Sequence, residues 1–200
     1  MKIQSLQNNN ITVLFSAPLN HLLISQDKLS KIFDTSDPQQ NIRNFVEAPG
    51  LKLMIFPTQK KDIAFEPARL VVSDKSGVDI EKSALINDFR KVFNSDAIDP
   101  TKVAAYGFNY DVLVEMDRGS LGDIVGQKLS NLPNVKNGGA MVSFEKEGIN
   151  YVLEIKPAKD KIFLAHLNAH ISSNKIPDDL ILRSELASNF KIFIDILKTI

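Results

Sequence analysis

The stretch from Val103 to Asp117 constrains the fold more than any other part of the chain. Ala104, Tyr106, Phe108, Tyr110, Val112, Val114 and Met116 occupy every even position, while Gly107, Asn109, Asp111, Glu115 and Asp117 fall on odd ones. Apolar side chains recurring with period two put one row against a core and the other in water, which is a long β-strand with one buried face. The same test finds three more strands downstream. Ala140, Val142 and Phe144 alternate; after Glu147 and Gly148 the parity switches to Ile149, Tyr151, Leu153 and Ile155; after Pro157 to Lys161 the set is Phe163, Ala165, Leu167, Ala169 and Ile171. A two-residue turn at Glu147-Gly148 sets Phe144 opposite Tyr151, Val142 opposite Leu153 and Ala140 opposite Ile155. A turn centred on Lys159 sets Ile155 against Phe163, Leu153 against Ala165 and Tyr151 against Leu167. Both turns leave every apolar residue on one face, and a one-residue slip would invert a strand, so the region reads as an antiparallel meander.

The N-terminal half is β-rich with a less regular pattern. Asn10 to Ala17, Leu51 to Phe56 and Ile63 to Ser73 read as strands, the last interrupted by Pro67, which belongs at an edge or bulge. Asp74 to Gly77 is a turn into a short strand near Val78. Glu81 to Asn94 carries Leu85, Ile86, Phe89, Val92 and Phe93 on one helical face, with Asp79 as candidate N-cap. Ser184 to the C-terminus repeats this with Leu186, Phe190, Phe193, Leu197 and Ile200, and shorter helices fit Ser25 to Asp34 and Ser120 to Leu132. Asp34 to Gly50 and Leu132 to Gly139 read as loops, and the residues show no internal repeat. The expected class is α+β: an antiparallel sheet with a C-terminal meander and helices packed on one face, residues 1–200 forming a single domain.

Composition bears on what such a domain does. Lys plus Arg equals Asp plus Glu, 24 against 24, and no segment is a basic arm, so no field draws the chain to nucleic acid or an anionic membrane. With no cysteine there is no disulfide framework, thiolate metal site or cysteine nucleophile. No apolar run approaches the roughly 20 residues of a membrane span, and the first ten residues lack the apolar core of a signal peptide, so the expected location is the cytoplasm.

Few residues are arranged for chemistry. His166 and His170 stand four apart, a helical metal spacing, but on a strand four residues span roughly 13 Å and cannot close on one ion. With Asn168 they form a polar row opposite Phe163, Ala165 and Leu167, and His166, Asn168 and His170 are the candidate binding residues; no metal and no cofactor is expected. Asp111, Glu115 and Asp117 offer acid and base groups, but alternating acids are what any half-wet strand shows. Gly119 to Gly126 lacks the Gly-Lys-Ser/Thr ending of a phosphate loop and reads as a turn into a helix capped by Ser120. Tyr106, Phe108 and Tyr110 continue into Val112 and Val114 without a basic neighbour before Arg118, so they read as core rather than a base-stacking platform. On the last helix Ile192, Ile194 and Ile196 widen the apolar stripe beyond what one sheet face uses, which makes them candidate oligomer-interface residues, most economically in a two-fold homodimer.

The order of a strand ending at Ala17-Pro18, a strand-turn-strand at Val71 to Ile80, the helix Glu81 to Asn94 and the aromatic strand Ala105-Tyr106-Gly107-Phe108-Asn109-Tyr110 resembles a sporadically distributed bacterial family of uncharacterised proteins. The resemblance is one of order and texture over about the first 120 residues. That family has no established activity, so the resemblance implies no catalytic role for any position. A four-stranded antiparallel meander followed by a long amphipathic helix also looks like the arrangement in export chaperones of the SecB type, a likeness of fold. The expected function is a non-enzymatic interaction or structural protein acting as an oligomer. A small-molecule or polypeptide binding module of chaperone-like kind is the second expectation, marked by an exposed apolar groove. An enzyme using His166 or His170 as acid or base is the third, marked by a cleft that holds a histidine beside a carboxylate.

Overall fold

A computed structural model describes residues 1–116, 138–159 and 161–199. The strands are β1 (Lys2–Phe15), β2 (Asn44–Ala48), β3 (Leu51–Phe56), β4 (Lys61–Glu66), β5 (Arg69–Asp74), β6 (Val103–Glu115), β7 (Ala140–Lys146), β8 (Ile149–Lys159) and β9 (Ile162–Ile171). They form one antiparallel sheet of nine strands in the order β2-β3-β4-β5-β1-β6-β9-β8-β7. Among the described residues three α-helices, α1 (Gln26–Phe33), α2 (Leu85–Phe93) and α3 (Asp179–Thr199), accompany it. The class is α+β, as the alternation predicts.

The apolar rows of the central strands meet on one face. Ile11, Val13, Ile63, Phe65, Leu70, Val72, Phe108, Tyr110, Val112, Ala165 and Leu167 are all fully buried there. α2 lies against β1 and β5, α3 against β6, and α1 against α2. Lys61 of β4 reaches Asp88 of α2 at 2.5 Å, and Arg90 of α2 reaches Asp179 of α3 at 2.5 Å, so the helices are tied to the sheet and to each other at their polar margins. Among the described residues no helix is long and apolar enough to cross a membrane.

The topology repeats although the residues do not. In the first half β1 is followed by a meander whose last strand, β5, returns beside it and leads to α2; in the second half β6 is followed by β7 to β9, β9 returns beside β6, and α3 follows. β1 and β6, the first strands of the two halves, pair antiparallel through Asn9↔Tyr110 and Asn10↔Asn109. Leu85 and Phe89 on α2 and Leu182 and Leu186 on α3 are all buried.

Several local expectations are corrected. The β7–β8 register is the expected one, with Phe144 opposite Tyr151. The β8–β9 register is displaced by two: Ile155 pairs with Ala165, Leu153 with Leu167 and Tyr151 with Ala169, because β8 runs on to Lys159 through an irregularity at Pro157. A shift of two keeps every side chain on its face, so the apolar pattern is blind to it. The stretch Ile63 to Ser73 is two strands, β4 and β5, with Pro67 in the turn between them. β1 starts at Lys2 rather than near Asn10, its alternation broken by irregularities between Ile3 and Ser5 and between Leu6 and Asn8. The loop expected over Asp34 to Gly50 contains β2, and no strand forms near Val78, where the chain enters a 3-10 turn at Ile80–Lys82. α2 starts at Leu85, with Asp79 making no capping bond and Ser83 Oγ accepting from the Leu85 amide at 3.2 Å. α3 starts at Asp179, where Asp178 accepts from the Ile181 amide at 2.9 Å. The helix expected over Ser120 to Leu132 lies outside the described residues, as does Ile200.

Candidate functional site

His166, Asn168 and His170 project from β9 on the sheet face away from the helices. Because β9 lies between β6 and β8, each meets a register partner on both sides: His166 meets Asp111 and Glu154, Asn168 meets Asn109 and Val152, His170 meets Gly107 and Asn150. The outcome is a polar ladder across four strands. Asn168 Nδ2 donates to Asn109 Oδ1 at 2.6 Å, and Asn109 Nδ2 donates to Asn10 Oδ1 at 2.8 Å. One rung along, His166 Nδ1 lies 2.7 Å from Asp111 Oδ1, and Asn8 Nδ2 donates to Asp111 Oδ2 at 2.9 Å. Burial pushes the Asp111 carboxyl up, but hydrogen bonds from His166 and Asn8 and the charge of a protonated His166 ring outweigh it and hold the carboxyl below the ordinary aspartate range. The structure thus joins His166 and Asn168 to partners and leaves His170 beside Gly107, whose position a Cβ could not take because it would fall 2.3 Å from the Ala169 carbonyl oxygen. Among the described residues no group of three or more His, Asp or Glu is placed to hold a metal ion. A His–Asp pair is present, and it sits on a half-exposed sheet face.

On the other face α3 is anchored by all three tyrosines of the chain. Tyr110 OH donates to the Leu186 carbonyl at 2.7 Å, Tyr151 OH donates to Asn189 Oδ1 at 2.6 Å, and Tyr106 OH donates to the Glu185 carboxylate at 2.9 Å. Burial raises the Glu185 carboxyl, with the Tyr106 hydrogen bond opposing. These struts set the helix along β6, with Leu182, Leu186, Asn189, Phe193 and Leu197 buried. Ile192 and Ile196 are half-buried against the core, whereas Ile194 is half-buried on the opposite flank of the helix.

That second flank borders an open apolar groove of about 980 Å³. One wall is α3, with Phe190 and Ile194; a second is the first part of β1, with Ile3 and Leu6; the third is the segment leading into the 3-10 turn, with Val78 and Ile80. A shallower hollow of about 590 Å³ continues it toward the start of α3, sharing Ile80 and Ala187. Leu180 and Ile181 line that hollow and are 80% and 47% exposed. Close behind the segment, Ser83 Oγ lies 2.5 Å from Asp74 Oδ2 and 3.3 Å from Asn9 Oδ1, and the fully buried Asn9 leaves its Nδ2 without a hydrogen-bond partner. Sequence reasoning missed this groove. Its walls come from three distant stretches, and the only local signal was the excess of isoleucine on the last helix.

No protein-family model matches the chain, and no curated protein matches it in sequence.

Proposed function

We propose that the protein is a non-enzymatic binding module whose groove beside α3 receives an apolar segment of a polypeptide. The observation that carries this reading is the groove itself, walled by Ile3, Leu6, Val78, Ile80, Phe190 and Ile194 and open to solvent. Apolar side chains left uncovered together are a cost in water that a partner's side chains relieve. The His166–Asp111 pair supports an enzyme reading less well, because it lies on the opposite sheet face with its hydrogen bonds committed to the polar ladder. A labelled, apolar octapeptide should bind with a affinity that Ile194→Lys weakens about tenfold or more, since a lysine ammonium in the groove must be desolvated. The far-ultraviolet circular dichroism and melting temperature of that variant should stay close to wild type. Equal binding by both proteins would remove the groove from consideration. A homodimer through α3 is a second reading, favoured by the exposure of Leu180 and Ile181 at the start of that helix. Molar mass in solution at rising concentration decides it.

A further inference from the structure

We infer that the groove takes its polypeptide as an added β-strand along the open edge of β1, an inference that rests on the binding role proposed above. β6 pairs with β1 along its whole length, from Lys2 to Phe15. β5 pairs only with residues 9–14 on the other side. Among the described residues, no strand therefore lies beside the edge of β1 that faces away from β6 over residues 2–8. The chain leaves the line of β5 after Asp74 and turns at Gly77, whose φ is +71° and whose added Cβ would lie 3.1 Å from the Leu6 carbonyl oxygen. That close approach covers the edge at Leu6 and, among the described residues, leaves residues 2–5 unpaired on that side. Lys2, Gln4 and Ser5 are exposed, and the same residues from Ile3 to Leu6 form one wall of the groove.

An unpaired strand edge and an apolar trough in one place select one kind of ligand. The backbone N–H and C=O groups of β1 offer hydrogen bonds at the spacing of a neighbouring strand, which an extended chain meets and a helix, with its backbone groups already paired, does not. Alternate side chains of an added strand point to one face. Here that face is the helix side, since Ile3 and Leu6 sit opposite the buried Val114 and Val112 in the β1–β6 register. One row of the ligand's side chains would enter the space bounded by Val78, Ile80, Phe190 and Ile194, and the other would point to water. The ligand class is thus an extended segment with apolar residues at every second position.

The test uses the full chain and a labelled octapeptide alternating valine and threonine, with lysine at each end, beside the same peptide N-methylated at alternate amides along one edge and then along the other. Fluorescence anisotropy gives the affinities, and hydrogen exchange reports the amides of residues 2–5 that point away from β6. The expected result is that one of the two N-methylated peptides binds about tenfold more weakly, as removing edge hydrogen bonds should do, and that the amides of residues 2–5 pointing away from β6 gain protection with the unmodified peptide. Binding that is sensitive to Ile194→Lys but indifferent to both methylation patterns, with no added protection, would overturn the strand and leave the groove reading intact. No binding of any peptide at millimolar concentration would remove both. Protection, without peptide, of those amides of residues 2–5 that point away from β6 would overturn the inference as well: if it grows with protein concentration a second copy holds the edge, and if it is present in the dilute monomer the chain itself does.

Discussion

Asp111 and Glu185 show how the same side-chain chemistry takes opposite signs in one small protein. Burial opposes ionisation at both, but Asp111 receives hydrogen bonds from His166 and Asn8 that overcome it, whereas the single bond from Tyr106 to Glu185 does not. The Asp111 carboxyl is held low, so its contribution to stability is present above the ordinary aspartate pKa and is lost as pH falls through its depressed value. Glu185 is held high, so its ionised form costs stability, and that cost appears as pH rises through its range. Urea unfolding measured from pH 7 down to pH 3 should therefore show a shallower acid loss for Asp111→Asn than for wild type, with lower stability than wild type at pH 7. Glu185→Gln keeps an acceptor for the Tyr106 hydroxyl and should match or exceed wild-type stability at pH 7. Parallel pH profiles for wild type and Asp111→Asn would show that the His166–Asp111 contact is not formed in solution. The sequence placed His166 and Asn168 on a polar face from strand parity alone. That His166 meets Asp111 and not Glu115 depends on the β6–β9 register, which alternation does not determine.

At the scale of elements, the second half was legible because its strands are half-buried and unbroken. A strand with one wet face writes its orientation into every second residue, and Glu147-Gly148 supplies the positive backbone angles of a two-residue turn, with φ of +54° and +77°. β1 was half-legible for the converse reason: two irregularities reset its phase, so Ile3 and Leu6 share a face although they are three residues apart. β2 was illegible, a five-residue strand at the sheet margin with no buried residue to mark its face. The face assignment of β8 can be tested directly. Leu153 is buried and Glu154 half-exposed on the opposite face beside His166. Leu153→Asp should cost about 3 kcal/mol or more by placing a carboxylate among apolar neighbours, while Glu154→Ala should stay within about 1 kcal/mol, the range of an exposed ion pair such as Glu154 with Lys156. Equal shifts in the denaturation midpoint would mean that the two faces are exchanged.

The whole molecule is built from two passes of one topology, joined antiparallel at β1 and β6. The recurring order is invisible in the residues because a core asks for apolar volume on the inner face and not for particular side chains; α3 even buries Asn189, which accepts from Tyr151 OH. Among the described residues the halves are also unequal, four strands after β1 against three after β6, and the line of β5 stops at Asp74 while β1 runs on to Lys2. The open groove stands between that start of β1 and α3. No window of sequence contains its three walls, so only the assembled fold brings Ile3, Ile80 and Ile194 together. Isoleucine-methyl NMR of the full chain, titrated with the alternating valine–threonine peptide, measures occupancy of that groove directly. The account predicts that the methyl signals of Ile3, Ile80 and Ile194 move together and saturably, while those of Ile11 and Ile63, buried between sheet and helices, and Ile162, on the opposite sheet face, hold still; movement confined to Ile162, or none at any isoleucine, would contradict it.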